Sequence, residues 1–87
     1  MRLSETAPGE RTGGTDVAES EFPKRLRRLR EEQRKSRKIV SELCGLPSDA
    51  VRRYERGESK PTMDALIKIA DHFEVSLDYL TGRINYR

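Results

Sequence analysis

The chain has 87 residues, 38% charged and 33% hydrophobic, with a formal net charge of +3. That size favours one small domain and leaves little room for a large catalytic cleft. No apolar run approaches the ~18 residues of a membrane helix, and Cys44 and His72 are the only residues of their types, so a membrane span, a disulfide framework, a zinc cluster and Cys/His catalysis all lack material.

The charge is unevenly distributed. Residues 1–21 carry two arginines against five carboxylates, net −3, which leaves +6 on residues 22–87. A small basic domain points to a polyanionic partner, nucleic acid first. The opening MRLSETAPGE has no apolar signal core, so a cytoplasmic chain is expected. Residues 1–21 are rich in Gly, Ser, Thr and Glu with scattered apolar positions, and they read as a disordered acidic arm. Residues 22–87 read as the folded domain.

From Phe22 the pattern turns helical. Phe22, Leu26 and Leu29 form one stripe, and Arg30 lies on it. Ser36 suits the cap of a second helix with Ile39, Val40, Leu43 and Cys44 as its apolar arc, broken by Gly45. A third helix is expected from Pro47, a first-turn residue, to Gly57. Thr62 suits the cap of a fourth, with Met63, Leu66, Ile67, Ala70 and Phe73 at amphipathic spacing. Ser76 suits the cap of a short fifth helix closed by Gly82. No alternating strand pattern occurs, so the expected fold class is all-α with five short helices.

On the third helix, taking Val51 as inward places Tyr54 and Glu55 within ~60° of it, and Asp49, Arg52, Arg53 and Arg56 outward. Two opposite charges at core-facing positions, Arg30 and Glu55, suggest an ion pair across two helices that serves the fold. The tight turn at Gly45-Leu46 joins the second and third helices at helix-turn-helix spacing. In such a unit the second helix of the pair enters the major groove, where arginine can donate two hydrogen bonds to guanine.

LRRLREEQ, SELCGL, AVRRYERGESKPT and LIKIADHFEVSLDYLTG stand in an order and spacing that resemble the lambda-repressor-like helix-turn-helix family, also called XRE, over Phe22 to Arg83. The resemblance implies a bacterial or phage transcriptional regulator, a repressor, binding double-stranded operator DNA with inverted half-sites as a homodimer. By the same resemblance Ser48, Asp49 and Arg53 match base-reading positions. Ser36, Arg37, Arg52, Arg56, Lys60 and Thr62 match backbone or flanking positions. The family usually has Gln where Arg37 stands, and often Ser or Thr where Pro47 stands.

No catalytic, metal or cofactor residues are expected; His72 looks flanking and Cys44 core. The competing reading is an antitoxin-like or regulator-partner module of the same fold. Tyr79, Ile84 and Tyr86 are the expected surface for a dimer or protein partner.

Overall fold

The computed structural model describes residues 21–87, and the expectations for residues 1–20 lie outside them. Among the described residues there are five helices and no strand: α1 (Phe22–Gln33), α2 (Arg37–Leu43), α3 (Ala50–Glu55), α4 (Met63–Phe73) and α5 (Leu77–Thr81).

Local chemistry sets most of the boundaries. Pro23 opens α1, where its missing N–H costs nothing. Glu21, assigned from sequence to the arm, belongs with this helix: its carbonyl accepts from Arg25 N–H at 3.0 Å, and its carboxylate lies 3.7 Å from the Arg25 guanidinium. Ser36, Thr62 and Ser76 cap α2, α4 and α5, each side-chain oxygen accepting from the backbone N–H three residues on. Gly45 sits at φ 74°, a left-handed conformation that lets the chain leave α2 and turn towards α3.

The start of α3 corrects the expected boundary. Pro47 is not in the helix. Its carbonyl accepts from Ala50 N–H at 2.9 Å, so Pro47 to Ala50 form a turn, and the helix begins at Ala50 with Asp49 at its cap position. Asp49 makes no side-chain cap bond. Instead, the Val51 N–H in the first turn donates to Ser41 Oγ on α2 at 3.0 Å, and that hydroxyl donates to the Arg37 carbonyl at 2.9 Å.

Every helix contributes to one core: Phe22, Leu26 and Leu29 from α1, Val40 from α2, Val51 from α3, Ile69 and Ala70 from α4, and Tyr79 and Leu80 from α5. Two stripes depart from expectation in part: Val40 and Cys44 of α2, and Leu66, Ala70 and Phe73 of α4, pack on the core as expected, and the rest do not. On α2 the buried residues are Val40, Ser41 and Cys44, while Ile39 and Leu43 are exposed. On α4 the buried residues are Ala65, Ile69 and Ala70, while Met63 and Ile67 face solvent. Small side chains at positions 41, 65 and 70 allow close approach of neighbouring elements, so these faces, rather than the most apolar ones, are turned inward.

Residues 83–87 fold back onto α1. The Arg25 guanidinium donates to the carbonyls of Tyr79 and Ile84 and to Asn85 Oδ1, at 2.9, 3.0 and 3.1 Å. Arg87 makes a two-pronged pair with Glu32 at 2.8 and 2.7 Å.

Candidate nucleic-acid interface

The helix pair α2–α3 is held by contacts that its two members make with each other and with α1. Ser41 is fully buried and joins α2 to the first turn of α3, and the Leu46 N–H returns to the Ser41 carbonyl at 2.9 Å. Sequence reading missed Ser41. Its signal was present as a polar residue beside Val40, on the face shared with Cys44.

At the far end of α3, Glu55 is inserted against α1. Its side chain is wholly buried, and it accepts from Arg30 Nε at 2.6 Å and Arg30 Nη2 at 3.1 Å. Arg30 also donates from Nη1 to the Lys35 carbonyl at 3.0 Å, bringing the α1–α2 turn into the same network. Hydrogen bonding to Glu55 raises the Arg30 pKa, with burial opposing. Arg27 adds a second guanidinium to this carboxylate at 3.6 Å. The Phe22 and Tyr54 rings meet edge to face, centroids 5.8 Å apart, so both Phe22 and Arg30 of α1 brace the end of α3.

With one face of α3 fixed, the other is presented to solvent. Ser48 and Arg53 are exposed, and Asp49 and Arg52 are half-buried. Ser36, Arg37, Lys38, Ser48, Asp49 and Arg52 border one shallow cleft between the start of α2 and the start of α3. Lys38 is a member of this group that sequence reading did not single out. Arg53 lies on the next turn of α3, and Arg56 at its end. The Asp49 carboxylate lies 3.9 Å from both the Arg52 and Arg53 guanidiniums, and Arg56 pairs with Glu58 at 2.8 Å. Lys60 is exposed in the α3–α4 loop, and Thr62 caps the helix that follows.

Three residues expected at a protein-binding surface diverge. Tyr79 is 3% exposed, which corrects its assignment: its ring is covered by the guanidiniums of Arg25 at 4.4 Å and Arg87 at 5.3 Å. Ile84 is half-buried and packs against the core. Tyr86 is 73% exposed and remains available.

Cys44 is buried, and burial pushes its thiol pKa up to about 11, so thiolate chemistry is suppressed. His72 Nε2 lies 3.1 Å from Gln33 Oε1, with its ring edge-on to Phe73. Among the described residues no group of His, Cys, Asp and Glu could hold a metal ion, and no helix is long and apolar enough to cross a membrane.

Comparison with known proteins agrees with this architecture. A helix-turn-helix family model matches residues 26–80. The cryptic phage CTXphi transcriptional repressor RstR of Vibrio cholerae is 39% identical over 59 residues, covering 68% of this chain and 53% of RstR. The chain spans about half the length of the curated relatives it matches. A transcriptional regulator from Listeria innocua superposes with a TM-score of 0.67 at 31% identity, over 77% of this chain and 63% of that one. The P22 c2 repressor, solved with a synthetic operator, superposes with a TM-score of 0.65 at 23% identity, over 70% of this chain and 92% of that one; at that identity the likeness shows the fold.

Proposed function

Because the chain belongs to the helix-turn-helix family, whose model matches residues 26–80, we propose that it is a sequence-specific, double-stranded DNA-binding transcriptional regulator, a repressor that acts in the cytoplasm as a homodimer on inverted half-sites. In this reading α3 lies in the major groove, with Ser48, Asp49 and Arg53 on base edges. Ser36, Arg37, Arg52, Arg56, Lys60 and Thr62 contact or flank the phosphate backbone. The chain has no catalytic role.

The observation that carries this reading is the fixed presentation of the outward face of α3. Val51 and Glu55 are buried on one side, and Arg52 and Arg53 project on the other, beside a cleft shared with Ser36 and Arg37. A rigid helix with exposed donors beside a basic flank suits groove binding.

Selection of bound duplexes from a randomised pool at ~150 mM salt, which suppresses purely electrostatic binding, is the test. A recovered motif of two inverted half-sites about one helical turn apart supports the proposal. Absence of enrichment overturns it. The antitoxin-like or partner-binding reading then takes its place, and it draws on Ile39 and Leu43, which are 44% and 54% exposed one turn apart on α2.

A further inference from the structure

We propose that α1 carries a second phosphate-binding ridge, in which Lys24 and Arg27 continue the line of Arg37 and grip the DNA backbone away from the bases read by α3; this rests on the DNA-binding reading above. The distribution of unneutralised charge leads to it. Around α3, Arg52 and Arg53 share the single charge of Asp49 at 3.9 Å, a net +1, and Arg56, just beyond the helix, is neutralised by Glu58 at 2.8 Å. Among the described residues no carboxylate pairs with Lys24, Arg37 or Lys38. Arg27 and Arg30 share the single charge of Glu55, so that trio keeps a net +1. Unspent positive charge is therefore found on α1 and the start of α2 more than on the reading helix.

Its placement is continuous with the interface. One shallow cleft runs between Lys24, Arg27 and Glu31 of α1 and Glu55 of α3. A second runs from Arg27 and Arg30 to Ser36 and Arg37. Ser36 and Arg37 then border the cleft that reaches Ser48, Asp49 and Arg52. Arg27 is thus one step along an unbroken surface from the start of α3. Glu55 holds the Arg27 Nε at 3.6 Å while 54% of the side chain stays exposed, an arrangement that aims a guanidinium and leaves it accessible. Glu31 lines both α1 clefts and opposes an anion, but it is one carboxylate beside Lys24, the net cation at Arg27 and Arg30, and Arg37.

Other residues of α1 are already engaged. Leu26 points into the core, and Arg25 and Glu32 hold residues 79–87 on one flank. At about 100° per residue Arg27 lies nearly opposite Arg25, so the ridge occupies the flank that the tail leaves open.

The test uses the full chain and the duplex recovered by selection. Wild type, Lys24→Ala and Arg27→Ala are compared by the salt dependence of binding and by phosphate ethylation interference. Each variant is expected to lower the salt slope by about 1, to keep the base preference, and to lose sensitivity to ethylation at one or two phosphates per half-site. Unchanged slopes and the same sensitive phosphates in all three proteins would overturn the ridge, as would an altered base preference in Lys24→Ala. Lys24 is exposed, so its variant keeps the test valid if Arg27→Ala disturbs Glu55 and the fold. A wild-type chain that selects no duplex overturns the DNA-binding reading itself, and the ridge with it, a result distinct from wild-type binding that the variants share.

Discussion

Ser41 and Val51 are ten residues apart in sequence and joined by one buried hydrogen bond of 3.0 Å, from the Val51 N–H to the Ser41 hydroxyl. The bond supplies from α2 the side-chain acceptor that Asp49 does not provide at the start of α3. Replacing Ser41 with Ala leaves a buried N–H without its partner. We expect a loss of ~1–3 kcal/mol in urea unfolding. A loss below about 0.5 kcal/mol would mean that the α3 start is satisfied in another way.

Arg30 and Glu55 couple α1 to α3 through two hydrogen bonds, at 2.6 and 3.1 Å. Glu55→Ala should cost ~3–5 kcal/mol, because it strands the largely buried Arg30, and Arg30→Ala should cost less, because Arg27 remains 3.6 Å from Glu55. The double variant should cost less than the two single losses together. A double-mutant cycle with no coupling would remove the pair from the account of stability.

Arg53→Ala should relax base preference at one position per half-site, with a loss of ~1–3 kcal/mol on the preferred duplex. Binding to a panel of single-base operator variants measures this. A uniform loss over the whole panel would reassign Arg53 to the backbone.

Lys60→Ala should weaken binding to every duplex alike and lower the salt slope by about 1. The slope comes from titrations at several salt concentrations. No change in slope would exclude phosphate contact from the α3–α4 loop.

Cys44 gives a pH signature. Burial raises its thiol pKa from 9.0 to about 11, so the folded state favours the neutral form. Its contribution to stability is therefore complete below pH 9.0 and is lost progressively as pH rises towards about 11. Comparing urea unfolding of wild type and Cys44→Ala across that range should show wild type losing its advantage as pH rises. The same burial predicts that folded protein resists thiol alkylation at pH 8 until urea is added.

What the sequence made legible was the chemistry that acts over one turn. Ser36, Thr62 and Ser76 each bind an N–H three residues away, so those helix starts were readable in place. The start of α3 was not, because its acceptor is on another helix. The inward face of α4 was misread in part for a related reason: Leu66, Ala70 and Phe73 pack on the core as expected, but Met63 and Ile67, more apolar than Ala65, are exposed while Ala65 permits close approach and is buried. Tyr79 looked like a surface aromatic because the two arginines that cover it come from the far ends of the fold. At the candidate interface the residue types were legible. Their ion pairing, which sets Arg52 and Arg53 apart from Lys24 and Arg37, required three dimensions.

The Arg25 guanidinium ties the beginning of the described fold to its end, across sequence separations of 54 to 60 residues. Tyr79, Ile84 and Asn85 are thereby pinned beside the start of α1, on the flank opposite Arg27. A dye or fused partner attached after Arg87, whose guanidinium pairs with Glu32 on that same flank, would leave the fold away from Arg27. That geometry favours carboxyl-terminal labels for binding work, since a bulky group there leaves both the Arg27 flank and the outward face of α3 clear.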